Sequence, residues 1–385
     1  MKKLQWGMIG GGAGSQIGPA HRISAAMDGL YTMAAGALDI DAAKGKEFAV
    51  SLGIAPDRAY GNWQDMLAGE KGRADRIDLV TVATPNSTHY EITKTFLEAG
   101  IHVLCEKPMT MTVAEAEDIV ATAKRTGSIC AVNYGYTGYA LVRQMRAMVA
   151  QGDIGKVRLI KAEFAHGFHA DAADADNPRV RWRYDPKLAG ISAQFADCGI
   201  HALHMASYVS GQEPVKLSAD FISALPSRTL EDDAMVSFKM NGGATLRLWT
   251  SSVAVGSMHG LNIRVFGETG GLRWAQQWPD QLYYTPLNGR TETIERGGPG
   301  LAPLADRASR VAIGHAEGMP LAFANIYADL WEAISAKRQG RMPDPLCTHY
   351  PTAYDGLVSM AAISAAVESA GNDGAWTDAR APATR

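Results

Sequence analysis

Apolar residues fall in short continuous runs through the first third of the chain, at 4–10, 31–38, 77–83, 101–104 and 128–132. Runs of this length, bounded by glycine and polar turns, predict buried strands. Between them, around 23–27, 42–52, 88–99 and 112–125, the apolar positions follow a helical period instead. Two of these helices open on a Thr with Glu three residues later, Thr88 with Glu91 and Thr112 with Glu115. That spacing predicts capping boxes, in which hydroxyl and carboxylate each accept from an otherwise unpaired amide. Strands that are apolar throughout and alternate with helices need cover on both faces, so the region predicts a parallel sheet.

Beyond about residue 133 the rhythm changes. Strand-like segments at 157–166, 215–222, 234–240, 244–250, 261–266 and 272–275 succeed one another, and Asn241-Gly242 supplies a hairpin turn. The fold class expected is α/β: a Rossmann dinucleotide-binding domain over 1–132, then an α+β domain over 133–385 for substrate binding and oligomerisation. The second domain should carry a large open sheet, mostly antiparallel, whose apolar face is expected to be covered in an oligomer. A length of 385 residues suits two cores, since single cores stop growing at roughly 250–300 residues. Residues 170–186, rich in Asp and Pro, and 286–320, rich in Gly and Pro, read as irregular loops.

Composition removes several classes of function. With 46% hydrophobic residues the chain can bury a full core and lacks the signature of disorder. Its formal charge of −3 comes from acidic and basic residues mixed along the chain, which gives no field for polyanions and argues against nucleic acid. Cys105, Cys130, Cys198 and Cys347 have neither paired zinc spacing nor the density of a disulfide scaffold. Reduced thiols, a cytoplasmic location and no metal are therefore expected. No apolar stretch is long enough to predict a membrane span.

Four groups of residues could carry chemistry. Gly10, Gly12 and Gly18 follow the first strand and lead into a helix, where bare backbone can approach a pyrophosphate. The spacing is larger than in G-x-G-x-x-G, because Ala13-Gly14-Ser15-Gln16-Ile17 separates the last two glycines, and a flexible turn is the alternative. Asp39, about twenty residues further on, stands where an acidic side chain accepts from the adenosine ribose 2′-hydroxyl and favours NAD over NADP, with Asp41 as its rival. Cys105-Glu106-Lys107-Pro108 closes the fourth strand at the carboxyl edge where open sheets bind ligands, and Pro108 keeps Lys107 extended. Asp197 and His201 stand four apart in a helical pattern over 195–208, sharing one face as an orienter and acid/base pair, or as a structural pair. His204 adds a polar group near that face. Tyr136, Trp182 and Arg183 could stack on and hydrogen-bond a sugar, or simply pack. Neither the serine-hydrolase elbow nor the phosphate-loop pattern is present.

Taken together, the glycine turn, Ala83-Thr84-Pro85-Asn86-Ser87-Thr88-His89, Cys105-Glu106-Lys107-Pro108 and the Asp197/His201 helix resemble the Gfo/Idh/MocA family of glucose–fructose oxidoreductase and inositol dehydrogenase. The resemblance spans most of the chain. It implies an NAD(P)-dependent oxidoreductase acting on a ring hydroxyl of a sugar, glycoside or cyclic polyol, as a homodimer or homotetramer. Carried over residue by residue, it makes Gly10, Gly12, Asp39, Thr84, Pro85, Asn86, His89 and Glu106 cofactor contacts, with Lys107, Asp197 and His201 catalytic. In that scheme His201 takes the hydroxyl proton, Lys107 stabilises the alkoxide and Asp197 orients the pair, although Lys107 could itself be the base. The chain departs from the family pattern in its enlarged glycine turn, at His204, and at Ala189-Gly190-Ile191-Ser192. Two other functions use parts of the same residues: an NAD-dependent glycosidase that oxidises only transiently, and a non-catalytic NAD-binding sensor.

Overall fold

The computed structural model describes residues 2–382. Five strands, β1 (Leu4–Gly10), β2 (Tyr31–Ala37), β3 (Leu79–Ala83), β4 (His102–Cys105) and β5 (Cys130–Val132), form a parallel sheet in the order β2-β1-β3-β4-β5. The helices α1 (Gly18–Met27), α2 (Ala42–Ser51), α3 (Trp63–Lys71), α4 (His89–Glu98) and α5 (Val113–Thr126) connect them. The order reverses between β2 and β3, on either side of β1, so a crevice opens at the carboxyl ends of β1 and β3.

The capping box at Thr112 forms: its hydroxyl accepts from Glu115 N–H, and Glu115 accepts from Thr112 N–H. The one expected at Thr88 does not form. A 3₁₀ turn, Asn86–Thr88, precedes α4, and the Thr88 hydroxyl donates to Thr84 Oγ1 and the Pro85 carbonyl instead. Local acceptors outcompete the cap.

After α6 (Ala140–Gln151) comes a nine-stranded sheet. It contains β6 (Leu159–Ala165), β7 (Pro214–Ile222), β8 (Asp233–Met240), β9 (Thr245–Ser251), β10 (Gly260–Phe266), β11 (Gly270–Ala275), β12 (Gln281–Pro286), β13 (Glu292–Glu295) and β14 (Thr377–Asp378). The pair β6 and β9 is parallel and the other pairs are antiparallel, so the sheet is mixed, mostly antiparallel. The loops expected at 170–186 and 286–320 are partly ordered, the first into short helical turns and the second into β13 and the one-turn helix Pro303–Asp306.

Two long helices, Met319–Arg338 and Ala353–Gly371, have no single apolar stripe, because neighbours bury them on several sides. Met319–Arg338 returns to the parallel sheet: Ile326, Tyr327, Leu330 and Ile334 share a core with Leu4, Trp6, Tyr31, Leu79 and Leu104. Asp329 on this helix is fully buried against Arg143 of α6 at 2.7 Å and bonds Arg307 at 2.6 Å. Among the described residues, no helix is long and apolar enough to cross a membrane.

Candidate active site

The nucleotide end of the crevice is shaped by absent side chains. Gly10 has φ +74°, and a Cβ there would lie 2.4 Å from the Ala83 carbonyl oxygen. A Cβ on Gly12 would meet the Leu38 carbonyl at 2.3 Å, and one on Gly18 would meet the Gly11 carbonyl at 2.1 Å. The glycines thus press the turn onto the ends of β3 and β2 and the start of α1 onto the turn. The enlargement bulges outward around Gly14 (φ +82°), and Ser15 Oγ accepts from Gly18 N–H at 3.0 Å. The Ile17 side chain makes no cap on α1, but Gly18 N–H is held by Ser15, Pro19 carries no N–H and His21 N–H donates to the Ile17 carbonyl. A pyrophosphate here would therefore rest chiefly on the backbone of the glycine turn at the positive end of the helix. These features fit a dinucleotide. Asp41 is engaged in capping α2 through Ala43 and Lys44 N–H. Asp39 accepts from Asp41 N–H at 2.9 Å and stands beside Gly12.

Between the parallel sheet and the second domain lies a cleft of about 550 Å³. Lys107 enters it from the end of β4, through a cis peptide to Pro108. Its ammonium donates to the Asp197 carboxylate and to the Asp197 carbonyl, the latter at 2.8 Å. Arg183 Nε stands 3.5 Å from the other Asp197 oxygen, while its guanidinium lies over the Trp182 ring and donates to Gln16 Oε1 at 3.0 Å. The turn enlargement therefore touches the far wall. Burial opposes charge on both partners, but Lys107 and Arg183 hold the Asp197 carboxyl far below its usual range. Asp197 in turn raises the Lys107 ammonium above its usual range against the pull of burial.

His201 sits on the same wall with Tyr136 edge-on at 4.8 Å between ring centroids and Phe164 at 6.0 Å. Burial, then the Lys107 charge, push its pKa well below the ordinary histidine value, so the imidazole is neutral. Asp197 and His201 both line the cleft, but among the described residues no hydrogen bond joins them, and Asp197 bonds Lys107 instead. A π-helical turn, Phe195–Gly199, precedes the helix Ile200–Ser210, and its wider winding turns Asp197 toward Lys107 and Arg183. His201 Nδ1 is buried without a hydrogen-bond partner among the described residues.

Other expected residues line the cleft but spend their polar atoms on protein. His89 is buried, its ring nitrogens bonding the carbonyls of Pro108 at 2.8 Å and Thr84 at 2.9 Å, which braces the loops after β4 and β3. Burial opposes its charge, yet Cys105 and the two carbonyls raise its pKa to about 9. Asn86 donates to the Ala189 carbonyl at 3.1 Å, tying Thr84-Pro85-Asn86 to the second domain. His204 does not line the cleft; it stacks on Tyr134 at 4.2 Å and bonds Asp355 at 3.3 Å. Its departure from the family pattern therefore lies outside the cleft lining.

Several residues escaped the sequence reading. Cys198 and His259 line the cleft, and with His166 they bring potential ligand atoms within 4.8 Å of one another. Burial, then His259, push the His166 pKa down to about 3, which leaves a neutral ring able to exchange hydrogen bonds with hydroxyls. Gln16 and His21 lay in the turn and its helix, where only the glycines carried a signal. The position of Gln16 within the insertion was the one available hint.

Residues 4–134 match a family described as oxidoreductases with an NAD-binding Rossmann fold, and residues 142–273 match the GFO/IDH/MocA C-terminal domain. The chain is 39% identical over 383 residues to the uncharacterized oxidoreductase YfiI of Bacillus subtilis (strain 168), covering 98% of this chain and 97% of that one. It is similar to the crystal structure of an inositol dehydrogenase homolog from Azotobacter vinelandii in complex with NAD+, with TM-score 0.93, 38% identity and 98% and 97% coverage. The complex of that homolog with NADH and myo-inositol gives TM-score 0.91, 37% identity and 98% coverage of both chains. D-glucoside 3-dehydrogenase of Escherichia coli (strain K12) is 27% identical over 290 residues, 69% of this chain and 77% of that one.

Proposed function

Since this chain belongs to the GFO/IDH/MocA family of oxidoreductases, we propose that it is an NAD-dependent dehydrogenase of a ring hydroxyl on a cyclic polyol or sugar, with myo-inositol the first substrate to test. The observation that carries this is the grouping of a charged Lys107, anchored by Asp197, with a neutral His201 in one cleft at the carboxyl edge of the Rossmann sheet. Gly10, Gly12 and the glycine turn at the start of α1 would hold the pyrophosphate, and Asp39 the adenosine ribose. Bound there, the cofactor supplies the hydride acceptor for the carbinol carbon.

The residues then divide the work on the hydroxyl. His201 is neutral and buried, so it accepts the hydroxyl proton as hydride leaves the same carbon, and a ketone forms. Lys107 remains an ammonium and donates to the oxygen as negative charge develops on it. Asp197 fixes the Lys107 side chain. His166 and His259, beside the cleft wall, have the chemistry to engage the remaining hydroxyls of a polyol. Tyr136 and Trp182 offer ring surfaces for its carbon face.

Incubation of the protein with NAD and a panel of inositols, aldoses and aryl glycosides tests the reading. One NADH per ketone is expected. Release of aglycone without lasting NADH would favour the glycosidase, and NAD binding without turnover on any member would favour the sensor.

A further inference from the structure

An unbroken line of buried hydrogen bonds runs through the parallel sheet to the cleft. Trp6 Nε1–H on β1 donates to Thr81 Oγ1 on β3 at 2.9 Å. Thr81 Oγ1 lies 2.9 Å from the Tyr327 hydroxyl on the helix Met319–Arg338, and that hydroxyl lies 2.9 Å from His21 Nδ1 on α1. His21 Nε2 lies 2.9 Å from Glu106 Oε1, which also accepts from Asn133 Nδ2 at 2.5 Å, while Glu106 Oε2 accepts from Lys107 N–H. Trp6, Thr81, Tyr327 and His21 are all at most 2% exposed.

The two ends set a direction. An indole N–H can only donate, and a carboxylate can only accept. With one proton per link, Trp6 gives to Thr81, Thr81 to Tyr327, Tyr327 to His21 Nδ1 and His21 Nε2–H to Glu106, so the Nε2–H tautomer of His21 completes the line. A head-to-tail chain polarises each member and strengthens the last bond. Glu106 lines the cleft beside Lys107.

We propose that His21 and Tyr327 are positioning residues that hold the Glu106 carboxylate as a hydrogen-bond acceptor for the donors of the nicotinamide riboside. The inference rests on the dinucleotide reading of the cleft. Burial raises the carboxyl pKa, and the His21 bond, followed by Lys107 and Asn133, more than offsets it. The titratable groups facing Glu106 are His21 from α1, Lys107 from its own loop, Tyr134 and Tyr136 from the segment after β5, and Tyr327 from the long helix. The three tyrosines are raised above 10 by burial and Lys107 is raised above its usual range, so none of these four changes charge between pH 5 and 9.

The test is NADH affinity, followed by fluorescence from pH 5 to 9, for the parent and for His21→Leu, His21→Gln and Tyr327→Phe, with thermal melting of each. Removing a hydrogen bond to a charged acceptor predicts that His21→Leu weakens binding about tenfold or more, with further loss toward pH 5 as Glu106 takes a proton. His21→Gln keeps an N–H for Glu106 and should return to within about threefold of the parent, with its pH profile. Tyr327→Phe removes one oxygen and should show a smaller loss with the same acid sensitivity, and it serves if His21→Leu does not fold. Parent affinity and a flat profile in His21→Leu would overturn the inference. Equal losses in the Leu and Gln variants with parallel profiles would assign His21 a structural role and overturn it too. A parent that binds no NADH would instead overturn the reading of the cleft on which the inference rests.

Discussion

Replacing Lys107 with methionine removes the ammonium and keeps most of the aliphatic stem. In the parent that ammonium bonds both the carboxylate and the carbonyl of Asp197, and the carboxylate has a second counter-charge in Arg183 at 3.5 Å. A buried charge left wholly unpaired costs about 3–5 kcal/mol, but the remaining guanidinium and the open cleft should limit the loss of stability to about 1–2 kcal/mol. The loss in rate should be larger. A donor aimed at a developing oxyanion is worth about 10²- to 10³-fold in kcat, or roughly 3–4 kcal/mol. Because Glu106 is contacted by the main-chain N–H of Lys107, which the substitution leaves in place, NAD affinity should stay within about threefold. Asp197→Asn should lower kcat as well, and adding it to Lys107→Met should cost less than the sum, since Asp197 acts through Lys107. Initial rates of NADH formation, cofactor titration and thermal melting measure the three quantities. Turnover of Lys107→Met within a few-fold of the parent, or a fall in NAD affinity that matches the fall in rate, would refute the assignment.

With neutral His201 as the base, kcat/KM should be flat through neutrality and fall only as pH drops through a His201 pKa well below 6.5; a rate still climbing above pH 10 would make Lys107 the base. His89 has its folded pKa raised from 6.5 to about 9, so its contribution is full below 6.5 and lost as pH rises through 9. Denaturant titrations should therefore show the parent losing on the order of 2–3 kcal/mol across that window, and His89→Leu, less stable at pH 6, losing far less. Gly10→Ala places a Cβ 2.4 Å from the Ala83 oxygen at positive φ and should weaken NAD binding by more than about tenfold, or lower the melting temperature, by the strain of 1–3 kcal/mol such a backbone carries. Asp329→Ala strands the fully buried Arg143 and should cost about 3–5 kcal/mol in denaturant titration with no direct effect on the cleft.

Short apolar runs made the parallel strands legible, because a strand covered on both faces must be apolar along its length. The second sheet was legible through its alternation up to β11. Beyond it β12 and β13 were missed, since Gln281, Tyr283, Glu292 and Thr293 dilute the pattern at the sheet margin. Glu106-Lys107 and Asp197/His201 could be singled out because they are local motifs, but their relation could not. Periodicity does not distinguish an α-turn from the π-turn at Phe195–Gly199, and that difference decides which partner Asp197 faces. Thr88 shows the same limit, since the 3₁₀ turn before α4 depends on hydroxyl and carbonyl acceptors placed by the loop's own fold. The His21, Tyr327 and Glu106 contacts join residues 306 and 85 positions apart, and no local spacing encodes them.

The helix Met319–Arg338 also has a consequence for biosynthesis. As the chain leaves the ribosome, the first 132 residues contain every strand of the parallel sheet, yet the flank formed by Leu4, Trp6, Tyr31 and Leu79 lacks the cover of Ile326, Tyr327, Leu330 and Ile334 until that helix has been translated. The nascent N-terminal third must wait, with an apolar surface open to other chains, for its last long helices. A severed N-terminal fragment should thus aggregate or require a chaperone, and supplying the missing C-terminal piece in trans should rescue it.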